Sequence, residues 1–158
     1  RSVIDGRAVV PVALIAEWFG HGALHENPGL LLHGIEDLQI VNGIRLGEEP
    51  QRVRLLAGKA RRENGFFEVD LELRNGVGEG RDVLHSRARA ILTRDYAPAP
   101  DYRLPAALSC NHYPRSAAEI YEQILFHGSH LQGLRWVQCC TSDGMVADAV
   151  AKVFKGRT

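Results

Sequence analysis

The sequence predicts an α+β fold in which one buried helix lies against an antiparallel sheet, and three observations support this prediction. Pro11 opens an apolar stretch, residues 12–19, that holds a single charged residue, Glu17. Proline suits the first position of a helix, and a helix that is apolar on nearly every side has to be buried. Residues 67–74 alternate apolar and charged side chains without a fault, which is typical of a strand with one face on a core. Residues 82–93 also alternate, and their small inward residues allow close packing on a helix.

The elements of residues 1–95 follow one another as a short strand, the buried helix and an antiparallel meander of about four strands. The helix is expected to fray at Gly20 and Gly22, because glycine disfavours helix interiors. Residues 61–65 are expected to form a loop between two strands. A helix across a curved antiparallel sheet is an α+β layer architecture, which the hot-dog fold fits and other helix-on-sheet rolls also fit.

The second part of the chain has a different composition. Residues 96–115 contain four of the seven prolines and are predicted to be a linker. Residues 116–158 begin like a new α+β unit, with Ser116 and Glu119 in a capping box that starts a helix over residues 117–125. Two strand-like runs follow, at residues 134–140 and 145–154. This second unit is expected to be truncated or incomplete, since two strands cannot close a core.

Bulk properties exclude several classes of protein. The 158 residues fit one domain with a real core, and 19 basic residues balance 19 acidic ones, so no basic surface for nucleic acid is expected. No apolar run reaches the roughly 18–20 residues of a membrane span. Three cysteines, two of them adjacent, argue against a disulfide framework and favour a reducing cytoplasmic setting.

Two stretches resemble a known family. The glycine and proline of residues 6–11, followed by a helix that carries Glu17, resemble the N-terminal half of dehydratase domains from polyketide and polyunsaturated-fatty-acid synthases. Residues 125–132 are similar to the motif that opens the second half of those domains, with Ser129 and Leu131 in place of the usual proline and phenylalanine. The resemblance covers nearly the whole chain. It implies a double hot-dog fold whose second half is incomplete here.

The resemblance also implies an activity, the removal of water from a 3-hydroxyacyl thioester carried on the phosphopantetheine of an acyl carrier protein, with no cofactor. In the family a histidine takes the α-proton and an aspartic acid protonates the leaving hydroxyl. The histidine normally stands four residues before the glycine matched by Gly6, and that position is Ser2. A serine without its own base is not a proton acceptor near neutral pH. Asp143 and Asp148 lie in a predicted turn and strand rather than on the helix that carries the family's aspartate, so both catalytic groups are expected to be absent.

By the same resemblance, five residues are candidates for substrate binding. They are Gly6, Pro11, His127, Gly128 and Gln132. A plain glycine turn with exposed histidines is an equally good interpretation of the last three. The implied partners are an acyl carrier protein, neighbouring synthase domains and a second copy in a homodimer, since hot-dog domains often pair through their sheets and open strand edges favour pairing.

Two other functions stay open. One is a non-catalytic hot-dog module that binds an acyl chain or scaffolds a synthase dimer. The other, less favoured, is an acyl thioesterase, for which Glu17 is the only carboxylate on the predicted helix.

Three further clusters have a plainer interpretation. His21 and His25 are four apart, as in zinc sites, but the glycines break the predicted helix and only Glu26 is a nearby third ligand, so no metal site is expected. The cysteines are best interpreted as ordinary strand residues. Four arginines could dock an acidic carrier protein or form a salt-bridged surface beside His85: Arg52, Arg54, Arg87 and Arg89.

Overall fold

The structure is a computed structural model that describes residues 2–4, 6–78, 80–99, 101 and 113–151, with the backbone alone for residues 2–4. The chain divides into two compact units. One is Arg7–Pro98, and the other combines Arg1–Gly6 with Ala99–Thr158. None of the helices formed by the described residues is long and apolar enough to cross a membrane.

The first unit holds one long helix and six strands. In chain order, after β1 (Ser2–Ile4) of the second unit, they are β2 (Arg7–Val9), α1 (Val12–Glu26), β3 (Leu31–Ile40), β4 (Val53–Ala57), β5 (Arg61–Glu63), β6 (Phe66–Asn75) and β7 (Leu84–Thr93). Five of these strands form one antiparallel sheet in the order β3-β7-β6-β4, and β5 also pairs with β6. The predicted meander is therefore correct for β4, β6 and β7. It is wrong for β3, which pairs with β7 on the far side of the sheet.

The apolar residues of the alternating pattern in β6 and β7 form the hydrophobic core. Val69, Leu71 and Leu73 of β6 are buried, while the charged residues between them lie on the other face. Small inward residues of β7, such as Ala90, are also fully buried. One side of α1 packs against this face through three residues, Ile15, Phe19 and Ala23. The other side is exposed, with Val12 at 53% accessibility, so the expectation that the helix is buried all round is wrong for the described surface.

The helix does not end at its glycines. It continues through Gly20 and Gly22 to Glu26, because both glycines give room to neighbouring strands. A Cβ at Gly20 would lie 2.9 Å from Leu32 Cδ2, and one at Gly22 would lie 2.3 Å from Leu55 Cδ2. The predicted fraying was wrong because close packing outweighs the low helix propensity of glycine.

Residues 61–65 are not simply a loop. Residues 61–63 form β5, and Asn64 and Gly65 make the tight turn to β6 with φ angles of +46° and +86°. Positive φ at both positions is what a two-residue hairpin turn of type I′ requires, and Asn-Gly is its preferred sequence.

The second unit contains α2 (Ala117–Gln123), a single 3₁₀ turn (Ser129–Leu131), β8 (Leu134–Cys140) and β9 (Met145–Ala149). The predicted capping box is confirmed, since the backbone N–H of Glu119 donates to Ser116 Oγ and the Glu119 carboxylate accepts from the Ser116 N–H. Ile120, Val137 and Cys139 are buried. Most of the predicted linker, residues 102–112, and the end of the last predicted strand lie outside the described residues.

Candidate functional site

The three candidate residues near position 130 lie on one loop, residues 127–133, which we call the His127 loop. Gly128 precedes the 3₁₀ turn, and its carbonyl accepts from the Leu131 N–H at 2.9 Å. The Gln132 side chain donates from Nε2 to the His127 carbonyl at 3.1 Å. The structure therefore brings His127, Gly128 and Gln132 together, with Gln132 holding the two ends of the turn.

The His127 ring is held against an aromatic neighbour. It stacks on Phe126 with ring centroids 4.8 Å apart and planes 15° apart, while Phe126 itself is 48% exposed. Its Nδ1 is inaccessible to solvent and has no hydrogen-bond partner among the described residues. Burying a polar atom without a partner costs free energy.

Two residues that support this loop were missed in the sequence. A Cβ at Gly133 would lie 2.7 Å from the Val150 carbonyl oxygen, and the Gly133 carbonyl accepts from the Val150 N–H at 2.8 Å. Tyr121 of α2 accepts from the Leu134 N–H at 2.7 Å through its hydroxyl. The glycine that directly follows Gln132 was the available signal. Nothing local indicates the tyrosine contact, since it joins residues 13 apart.

The candidate residues near the N-terminus, Ser2, Gly6 and Pro11, lie in or between the first backbone elements. Ser2 lies in β1. Gly6 has φ +73° in the following turn, and a Cβ there would meet nothing within 4 Å, so glycine is needed for its conformation and not for space. Pro11 is the N-cap of α1, one position before the first helical position expected for it, and its carbonyl accepts from the N–H groups of Leu14 and Ile15.

The histidines of α1 border a groove of the first unit. His21 Nε2 lies 3.7 Å from Glu17 Oε1, and both side chains are largely exposed. The groove, about 670 Å³, lies between the end of α1 and β4, and its polar residues are His21, His25 and Glu26. No group of three or more His, Cys, Asp or Glu side chains within the described ranges could hold a metal ion. The helix is unbroken here, so one reason for setting aside a metal site was wrong, although these residues still form no ligand set.

Three of the arginines weighed as a docking surface, Arg54, Arg87 and Arg89, bond to neighbouring side chains of the first unit. Arg89 pairs with Asp37 and Glu68, and hydrogen bonding to Asp37 is the main reason that its pKa is raised. Arg54 Nη2 lies 2.7 Å from Asp82 Oδ1. Arg87 donates to Gln39 Oε1 at 2.8 and 2.9 Å. Arg54 and Arg89 thus form salt bridges, whereas Arg87 bonds to a neutral amide.

The cysteines of β8 differ from each other. Cys139 is buried and disulfide-bonded, whereas Cys140 is a free and exposed thiol. The interpretation as ordinary strand cysteines holds for Cys140 and is wrong for Cys139, and the disulfide also contradicts the argument from the cysteine count against disulfides and for a reducing setting. Asp143 lies between β8 and β9, and Asp148 lies in β9, where Gln138 Nε2 donates to its Oδ2 at 3.1 Å.

Comparison with known proteins supports the resemblance seen in the sequence. No protein-family model matches the chain. Over 148 residues it is 29% identical to one of the subunits of a polyunsaturated fatty acid synthase from Thraustochytrium sp., and the match covers 92% of this chain and 5% of that much longer polypeptide.

Solved structures give the fold. A trans-AT polyketide synthase dehydratase domain from Brevibacillus brevis superposes with a TM-score of 0.70 over 95% of this chain, at 24% identity. A structure from work on dehydratase substrate selection in the borrelidin and fluvirucin polyketide synthases gives a TM-score of 0.59 over 94% of this chain, at 20% identity. The chain spans about half the length of these structures, 57% and 51% respectively. It therefore has the α+β hot-dog fold of synthase dehydratase domains, as the sequence predicts.

Proposed function

We propose that this chain, with its dehydratase hot-dog fold, serves in a multidomain polyketide or polyunsaturated-fatty-acid synthase and receives a 3-hydroxyacyl thioester from an acyl carrier protein. The proposal rests on the agreement between a structural similarity and a sequence similarity. The fold is that of solved synthase dehydratase domains, and the sequence is similar to part of a fatty acid synthase over nearly its whole length. Neighbouring synthase domains are partners in this proposal.

The residue at position 2 decides what the domain does with that thioester. Dehydration needs one group to remove the α-proton and another to protonate the leaving hydroxyl. Ser2 stands where the family has its histidine, and a hydroxyl without an adjacent base is a poor proton acceptor at neutral pH. We therefore expect the chain to bind the 3-hydroxyacyl thioester and leave it unconverted, as a non-catalytic acyl-binding module of the dehydratase type.

The His127 loop is the part of the proposed site whose geometry is described in most detail. The bond from Gln132 to the His127 carbonyl holds the loop closed, and the bond between Tyr121 and Leu134 anchors its end. The His127 Nδ1 is buried and has no partner among the described residues, so in this proposal the ring turns on binding and lets this nitrogen bond a hydroxyl or carbonyl of the acyl group. Gly6, in the turn before β2, and Pro11, at the N-cap of α1, remain proposed contributors.

A thioesterase is the weaker candidate. It would need a carboxylate on the hot-dog helix that directs water at the thioester. Glu17 is that carboxylate, but its side chain is 61% exposed and lies beside His21, which is also exposed. This exposed position is not a water-excluding site in which a carboxylate could direct one water molecule at a substrate.

We also propose that the chain forms a homodimer through its second unit. Among the described residues the β8–β9 sheet has two strands, and it carries Trp136 and Met145 with 48% and 59% of their surface exposed, apolar surface that a second copy could cover. The outer face of the first unit's sheet is a poor alternative because its charges are already paired. Light scattering tests this part, and a monomer at micromolar concentration would remove it.

The test of the main proposal separates binding from turnover. A 3-hydroxyacyl pantetheine thioester is titrated into the protein by calorimetry, and the incubated thioester is then analysed by mass spectrometry. We expect saturable binding with no loss of water, and the same outcome for Ser2→Ala. Dehydration by the wild type that Ser2→Ala abolishes would show that Ser2 takes part in catalysis. Free acid would indicate a thioesterase, and absence of binding would reject the proposal.

A further inference from the structure

Three asparagines of the first unit are each followed by glycine, the neighbour that least hinders attack of a backbone nitrogen on the asparagine side chain. They are Asn42, Asn64 and Asn75. Such asparagines are chemically labile. The three side chains differ in their hydrogen bonds, so we expect them to differ in how readily they react.

Asn75 is fixed on both sides of its amide. Its Nδ2 donates to the Arg81 carbonyl at 3.0 Å, and its Oδ1 accepts from the Val83 N–H at 2.7 Å. The N–H of Gly76, which would have to attack, is itself donated to the Arg52 carbonyl at 2.8 Å. The Asn75 side-chain amide, which would be attacked, and the Gly76 nitrogen, which would attack it, are therefore both held in hydrogen bonds.

Asn42 is also tied to the sheet. Its Nδ2 donates to the Leu84 carbonyl at 2.8 Å, and its own backbone N–H donates to the His85 carbonyl at 3.0 Å. The His85 ring nitrogen Nδ1 lies 3.0 Å from the Asn42 carbonyl oxygen. To reach the attacking geometry, Asn42 must leave this set of contacts with β7.

Asn64 lies instead at the exposed tip of the β5–β6 hairpin. Within the part of the chain that the structure describes, its side chain makes no hydrogen bond, and its φ of +46° places it in the left-handed region. β5 has three residues, all exposed, and among the described strands it pairs only with β6. Short exposed hairpin ends open with little free energy, so the turn can sample the backbone angles that the attack needs.

We infer that Asn64 is a site of spontaneous deamidation, selected over Asn42 and Asn75 by the hydrogen bonds that hold those two. In the reaction the Gly65 backbone nitrogen loses its proton to solvent base and attacks Cγ of Asn64. The Cγ–Nδ2 bond breaks and ammonia leaves, which gives a cyclic imide. Water then opens either C–N bond of the imide, producing aspartate or isoaspartate at this position. This inference does not depend on the proposed function.

The isoaspartate product changes the hairpin. It adds one methylene to the main chain inside a two-residue turn whose geometry fixes the pairing of β5 with β6. Arg61 of β5 lies 2.6 Å from Asp70 of β6, and this pair depends on that register. We therefore expect the isoaspartate form to lose the β5 pairing while the rest of the sheet persists.

Trypsin makes the test direct, because the three asparagines fall in separate peptides, residues 8–45, 63–74 and 75–81. The folded protein is aged at mildly alkaline pH, digested, and assayed for the mass gain of amide-to-acid conversion. We expect the peptide with Asn64 to convert about tenfold faster than the other two, since each must first break one or two side-chain hydrogen bonds. In denaturant all three should convert at similar rates.

The matched control is Asn64→Gln, which keeps an amide but forms the cyclic imide far more slowly. It should abolish conversion of residues 63–74 and leave the other two peptides unchanged. Equal rates for the three peptides in the folded protein would overturn the inference. Conversion of Asn64 in denaturant but not in the folded protein would overturn it as well, because it would show that the hairpin turn protects this residue.

Discussion

Gly22 of α1 and Leu55 of β4 lie so close together that a side chain at position 22 would force the Leu55 side chain to move. A Cβ built there would stand 2.3 Å from Leu55 Cδ2, 2.8 Å from Cδ1 and 3.1 Å from Cγ. The glycine that disfavours the helix locally is therefore what lets the last turns of α1 pack against β4. Helix length and sheet packing are coupled through this one contact.

Gly22→Ala should lower the stability of the first unit. The substitution gains about 1 kcal/mol of helix propensity. It also forces the whole branched end of Leu55 to move, and overpacking of this kind costs about 1–3 kcal/mol. We expect the free energy of unfolding, measured by urea denaturation, to fall by about 1 kcal/mol, in line with the larger of the two effects.

The control uses the same contact. In a Leu55→Ala background the obstructing atoms are gone, so Gly22→Ala should become stabilising by about 1 kcal/mol through propensity alone. An equal loss of stability in both backgrounds would mean that Leu55 is not the cause.

The sequence predicted correctly those elements that are determined by residues close together in the chain, and it failed where distant residues determine the structure. The period of two in residues 67–74 identified β6 and its inward face correctly, because alternation belongs to the strand itself. The end of α1 was mispredicted because Gly22 packs against Leu55, which is 33 positions away in the sequence. β5 was missed because Arg61–Glu63 has no apolar alternation and becomes a strand only by pairing with β6.

The neighbour of β3 could not be predicted for a related reason. Its partner β7 lies beyond three intervening strands in the sequence, and the pairing of Ile35 with Ala90 is set by the assembled sheet. At the His127 loop, the motif identified the right residues, but the bond from Gln132 to the His127 carbonyl became visible only in the structure.

Ser86→Ala should make the first unit more stable. Ser86 is fully buried on the inward face of β7, and its hydroxyl has no hydrogen-bond partner among the described residues. Burying a hydroxyl without a bond costs about 1–3 kcal/mol by mutational measurements. Alanine removes the hydroxyl and adds no volume, so thermal or urea unfolding should show a gain of about 1 kcal/mol.

The reciprocal substitution Ala90→Ser is the matched control. Ala90 is fully buried on the same face of β7, four positions along the strand. A serine there should lower the free energy of unfolding by about 1–3 kcal/mol. A loss of stability with Ser86→Ala would instead show that the native hydroxyl has a hydrogen-bond partner.

The stability of α2 should depend on pH through Glu119. Its pKa is lowered from 4.5, mainly because its carboxylate accepts from the Ser116 backbone N–H at 2.7 Å and also from the Ser116 hydroxyl. A lowered pKa in the folded state means that the contribution is complete above pH 4.5 and is lost as pH falls through the lower folded value. Carbon-detected NMR titration of the carboxyl group should give a midpoint below 4.5.

Ser116→Ala supplies the comparison for that titration. It removes the hydroxyl donor, so the Glu119 midpoint should rise toward the ordinary value, and loss of the N-cap should destabilise α2 by about 1 kcal/mol. An unchanged midpoint in this variant would contradict the assignment of the hydroxyl as a cause.

Gln132→Glu should weaken acyl binding if the His127 loop is the binding element. The substitution keeps the size of the side chain but turns a carboxylate oxygen toward the His127 carbonyl, which Gln132 Nε2 now approaches to 3.1 Å. Two acceptors that face each other repel, so the loop should open. We expect calorimetric affinity for a 3-hydroxyacyl pantetheine thioester to fall at least about tenfold, the effect of roughly 1.4 kcal/mol.

Gln132→Met tests whether acyl binding depends on the hydrogen bond that closes the loop or only on the size of the side chain. Methionine has a similar size and neither donates to the His127 carbonyl nor repels it. This carbonyl is then left without its donor, which costs about 1–3 kcal/mol if the carbonyl is dry. The cost is smaller if water reaches the carbonyl. Affinity should fall between those of the wild type and Gln132→Glu. If Gln132→Glu binds the thioester as tightly as the wild type while its fold is intact by circular dichroism, the His127 loop is a structural turn and the acyl group binds elsewhere.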